Sequence, residues 1–155
     1  MHVIAGKAVA FGEALQPEFT EYAKAVIANA KRMAEVFGEE GLPAISGGTD
    51  THLMLIDVGA IGLSGKQAEA LLDAVGITVN KNTIPGDQRP PTQASGIRIG
   101  TPAITTRGFD VADCEQVARL VATVLQQPED DHVARTVRGQ VEELAARFPL
   151  PGATS

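Results

Sequence analysis

The sequence has no tryptophan, one tyrosine and five phenylalanines, so its core has to be built from aliphatic side chains. Its single cysteine, Cys114, excludes an internal disulfide framework and any Cys-x-x-Cys metal or redox motif. Positive charge is scarce: 13 Lys and Arg stand against 19 Asp and Glu, a formal net charge of −6. No basic cluster supplies the footprint that counterion release at phosphates requires, so nucleic acid is not an expected partner. Long apolar runs are also lacking, since Lys7 interrupts Val3–Phe11 and Asp57 interrupts Leu53–Leu63. Neither run approaches the roughly 20 residues of a membrane span. No positive segment precedes an apolar stretch, so a secretory signal is not expected. His2, His52 and His132 lie far apart, without the spacing of a metal site. The expected setting is soluble, reducing and cytoplasmic.

What is present suits one globular domain of 155 residues, with 44% hydrophobic and 21% charged residues. Val3–Leu15 is rich in small and apolar residues and reads as a helix with no polar cap before it. Pro17 and Glu18 open a second helix whose apolar stripe runs from Phe19 through Val26, Ala30 and Met33 to Phe37. Gly41 and Pro43 stop it. Ser46–Asp50 reads as a turn, His52–Val58 as a buried strand, and Ser64 with Gln67 as a capping box opening a third helix. Ile77–Asn80 and Ile97–Gly100 are expected strands, and Pro102 restarts a helical turn. Asp110 caps a helix striped by Cys114, Val117, Val121 and Leu125. Asp130 or Asp131 caps the last, which carries Val133, Val137, Val141, Leu144 and Phe148. Three or four short strands with helices packed on them make an α/β layer domain.

The segment Thr83–Gly96 has five Pro or Gly among its 14 residues. Loops this long without internal structure are uncommon in compact domains and are usually functional, and three prolines argue for a shaped one. Beyond it, Arg98 stands between Ile97 and Ile99, so alternation puts it on the face opposite both isoleucines. There it either captures a carboxylate in bidentate fashion or simply faces solvent. Asn80, Lys81 and Asn82 precede the loop, as readers of a heterocycle's edges or as turn formers. Ser46–Thr49 is either an anion-binding nest or only a turn. His52, beside Asp50, reads as a structural hydrogen-bonding histidine, Cys114 as core and Lys7 as a snorkelling side chain. No residue reads as a catalytic base or nucleophile.

Several blocks in order resemble serine hydroxymethyltransferase. They are Met1–Ala10, Ser46–Asp50 with His52-Leu53, Thr78–Asn82 with Pro85, Ser95–Ala103, and Thr105–Phe109. The resemblance implies a pyridoxal-phosphate enzyme of the aspartate-aminotransferase (type I) fold. Such enzymes interconvert serine plus tetrahydrofolate with glycine plus 5,10-methylenetetrahydrofolate, as a homodimer or higher oligomer. It further implies that the chain is about the last third of such an enzyme. Residues 1–15 would end the cofactor domain, and residues 16–155 would form the small C-terminal α/β domain, a short mostly antiparallel sheet packed by helices. By the same resemblance Arg98 binds the amino-acid carboxylate, while Asn82 and Pro90, Pro91 and Thr92 line the folate site. Many members carry an aromatic where Thr92 stands. The family's Schiff-base lysine lies in a Thr-rich motif ending His-Lys-Thr, and no such motif occurs here. The expectation is therefore a chain that is inert alone, with no catalytic residue of its own. A non-catalytic folate-binding or regulatory module and a non-functional fragment are the alternatives.

Overall fold

The computed structural model describes residues 1–150. Two helices come first, α1 (His2–Ala14) and α2 (Pro17–Glu39), followed by strand β1 (Leu53–Asp57). After a short 3-10 turn at Gly59–Ile61 come α3 (Gly65–Ala74), β2 (Asn80–Asn82) and β3 (Gly96–Gly100). The one-turn helix α4 (Pro102–Thr106) then leads to α5 (Val111–Gln126) and α6 (Asp131–Arg147). The strands form one sheet in the order β1-β3-β2, and both pairings are antiparallel. The register sets Ile56 opposite Ile97 and Met54 opposite Ile99, and all four are buried. These side chains meet Met33 and Phe37 of α2, Leu72 of α3, and Val121 and Leu125 of α5, so the aliphatic core lies on one face of the sheet. Among the described residues no helix is long and apolar enough to cross a membrane.

The helix signals act as expected. Ser64 and Gln67 exchange side-chain and backbone bonds as a complete capping box at the start of α3. Asp110 and Asp113 do the same for α5, and of the two candidates at α6 it is Asp130 that accepts from His132 and Val133. Each cap satisfies N–H groups that a helix start otherwise leaves without partners. Gly41, at φ +77°, turns the chain out of α2 where an L-residue would be strained. Polar groups inside the layers are paired as well. The Asn29 amide, 1% exposed, donates to Thr105 Oγ1 and to the Phe109 carbonyl, which ties α2 to α4 and the segment after it. Arg107 donates to the carbonyls of Ala145 and Phe148 and so closes the C-terminal end of α6.

One expectation of the fold needs correction. The strand expected at Ile77–Asn80 contributes only Asn80 to the ladder, and β2 runs on through Asn82. Val79 is buried and Ile77 half-buried against the core, so the β-branched pattern reports packing. The ladder forms where β3 offers partners, at Gly96, Ile97 and Arg98. The apolar helix α1 forms, yet none of its residues is buried, and Val3, Ile4, Val9 and Phe11 are all exposed. Its apolar residues are spread around the axis and offer no stripe that could seat it on the sheet layer.

Candidate functional site

The sheet has a second face, and the period of two decides what stands on it. Arg98 is at its centre, directly opposite Leu55 of β1 on one side and Asn80 of β2 on the other. Arg98 is exposed while its neighbours Ile97 and Ile99 are 0% and 8% exposed, as alternation requires. Among the described residues the Arg98 side chain makes no hydrogen bond and no ion pair. A guanidinium carries five donors in a planar fork suited to a carboxylate. Asn82 lies on this same face two residues from Asn80, and its amide donates to the Thr83 carbonyl at 2.7 Å. The structure thus places Asn82 and Arg98 on one surface of adjacent strands.

The long loop is shaped by a residue that sequence reasoning missed. The carboxylate of Asp87 accepts from Ser95 Oγ at 2.6 Å, from Ser95 N at 2.9 Å, from Arg89 N at 2.9 Å and from Ile84 N at 3.3 Å. The Ser95 hydroxyl, then the Arg89 N–H, hold its pKa down at about 2. The Arg89 guanidinium completes the clasp by donating to the Leu63 carbonyl at 2.9 Å and to Ser95 Oγ at 3.1 Å. Aspartate after Pro-Gly is a turn signal, but nothing in the sequence names its partners eight residues away. Pro90, Pro91 and Thr92 sit exposed on the loop, and the Pro90 carbonyl accepts from Gln93 N and Ala94 N. None of the three bonds to Arg98 or Asn82 among the described residues.

Two glycines let the loop close onto the sheet. A Cβ at Gly65 would lie 2.3 Å from the Gly96 carbonyl, and one at Gly96 would lie 2.6 Å from Ile84 Cγ2. Both positions therefore need glycine for close approach. With that approach granted, Gly65 N and Lys66 N donate to the carbonyls of Ala94 and Gln93 and pin the loop's end to α3. On the far side of β2, Glu69 accepts from both Lys81 N and Lys81 Nζ at 3.1 Å. Those bonds, the backbone one first, lower the Glu69 pKa.

The remaining candidates resolve simply. Ser46–Thr49 is a turn: Ser46 Oγ donates to the Gly48 carbonyl and Thr49 Oγ1 to the Leu53 carbonyl, both at 2.6 Å. His52 is corrected. Its ring is exposed and bonds to nothing among the described residues, whereas its backbone carbonyl receives Thr101 N. Cys114 is fully buried, and burial followed by the charges of Asp113 and Asp110 pushes its thiol up to about 12. Of the five lysines, Lys24, Lys31 and Lys81 are ion-paired and Lys7 and Lys66 are exposed. No lysine is thus desolvated, and the residues present do not fit the attachment of an aldehyde cofactor. They fit the capture of an anion at Arg98. Residues 1–121, from α1 to the middle of α5, match the sequence model of serine hydroxymethyltransferase. The chain belongs to the serine hydroxymethyltransferase family.

Proposed function

We propose that this chain is the C-terminal portion of a glycine hydroxymethyltransferase that uses pyridoxal phosphate and tetrahydrofolate, and that its outer sheet face forms one wall of the substrate site. In this reading Arg98 binds the carboxylate of serine or glycine, and Asn82 with Pro90, Pro91 and Thr92 contacts the folate. One observation carries the reading: in a chain of this family, an arginine on the central strand is exposed, and its side chain is unbonded among the described residues. The exposed flank of α1 supports a division at residue 15, with 1–15 ending a cofactor domain and 16–155 forming the small domain, whose last five residues lie outside the described ones. The complete enzyme would be a cytoplasmic homodimer or higher oligomer. The cofactor's lysine would lie on another part of it, and this chain alone would be inert.

The purified chain, mixed with pyridoxal phosphate, glycine and tetrahydrofolate, should show neither turnover nor a cofactor absorption band that depends on glycine. Turnover would refute the inert reading. In the complete enzyme, Arg98→Lys keeps the charge and loses the fork, and should weaken transition-state binding of serine by about 2–5 kcal/mol. A kcat/KM close to wild type would refute the carboxylate role.

A further inference from the structure

The outer face of β2 and β3 carries three polar side chains, and they are not in the same state. Asn82 has its amide engaged with Thr83 one residue along its own chain. Arg98 is unbonded. Asn80 is exposed, and among the described residues its side chain makes no hydrogen bond either. Asn80 is also the residue directly across the ladder from Arg98. Directly opposed antiparallel residues hold their Cβ atoms about 4.5–5.5 Å apart. The Asn80 amide thus stands beside the stem of Arg98, and a small planar anion held by a guanidinium lying across β2 meets that amide.

The surroundings fix this arrangement. Lys81, between the two asparagines, is held on the far side of the strand by Glu69 through both its backbone and its side-chain nitrogen. β2 cannot turn Asn80 away from the face without breaking both bonds. Across Arg98 on its other side stands Leu55, which has no polar side-chain atom. Directly opposite Arg98, β1 therefore offers an anion no donor, whereas β2 offers the Asn80 amide. A carboxylate has about four lone-pair sites and a bidentate arginine fills two, so a further donor has a vacant acceptor to bind.

We propose that Asn80 is a second carboxylate-binding residue, donating an Nδ2–H to the anion that Arg98 holds. The inference rests on the carboxylate reading of Arg98 and adds a residue to it. NMR titration of the 155-residue chain with glycine tests it through two side-chain signals, Arg98 Nε–H and Asn80 Nδ2H2. Both should move together with one saturation curve, and in Arg98→Ala the Asn80 signals should stay still. Asn80→Ala should weaken glycine binding about tenfold, the effect of losing a hydrogen bond to a charged group. Asn80→Asp should weaken it further, because its carboxylate takes the guanidinium for itself, and Asn80→Ser should recover part of the loss. Movement of Arg98 without Asn80 would overturn the proposal and leave the carboxylate reading standing. Movement of neither at saturating glycine would overturn both. The wild-type titration needs no variant, so a substitution that fails to fold does not blunt the test.

Discussion

Ile97 and Arg98 are adjacent in β3 and inhabit opposite worlds. The inner face of the strand meets α2, α3 and α5, and around it even the polar groups of Asn29 and Thr101 are bonded. On the outer face Arg98 and Asn80 are unbonded among the described residues. A buried polar group left unpaired costs about 1–3 kcal/mol, whereas an exposed one costs nothing because water satisfies it. Folding therefore has little stake in these two side chains, and their chemistry is free to serve a ligand. What folding does fix is the backbone on which they stand.

The largest effect should come from the inner face. Ile97→Ala removes a fully buried side chain and should lower unfolding free energy in urea by about 2–5 kcal/mol. Gly65→Ala comes next, at about 1–3 kcal/mol, because its Cβ would collide with the Gly96 carbonyl and push α3 off the sheet. If Gly65→Ala were neutral, the close approach would not be what orders the loop. Asp110→Ala should cost about 1 kcal/mol through the lost cap of α5, read in the same unfolding experiment. Asp87 gives a pH-dependent effect. Its folded pKa lies below the ordinary carboxylate value, so its stabilisation is complete above about pH 4 and is lost as pH falls through about 2. The amide signals of Ile84, Arg89 and Ser95 should titrate with that low midpoint, and an ordinary midpoint would show that the clasp is loose. The smallest effect belongs to Arg98→Ala, which should change stability by less than about 0.5 kcal/mol while abolishing anion binding. Equal losses from Ile97→Ala and Arg98→Ala would erase the distinction between the faces.

Local chemistry made much of this readable. The Ser64–Gln67 and Asp110–Asp113 capping boxes join residues three apart, and the stripes of α2 and α5 repeat at helical spacing, so both are visible in a short window. The alternation Ile97-Arg98-Ile99 likewise set the arginine apart from the core before any strand partner was known. The position of β2 was not readable, because Asn-Lys-Asn has little strand preference of its own and is recruited by β3. Asp87, Arg89 and Ser95 escaped for a related reason. Their meeting depends on how the loop folds back, and a carboxylate there resembles any turn aspartate. The family resemblance supplied Asn82 and the proline pair. Asn80 was visible beside them as a polar residue before the loop, and the cross-strand register sets it against Arg98.

Cys114 gives the molecule a built-in reporter. Its thiol is sealed in the core and held far from its reactive thiolate form, so a thiol reagent can reach it only when α5 leaves the sheet layer. Because it is the sole cysteine, the rate at which it is labelled clocks that opening without any engineered probe. A carboxylate bound on the far face of the sheet should slow that clock to the extent that it holds β3 in place.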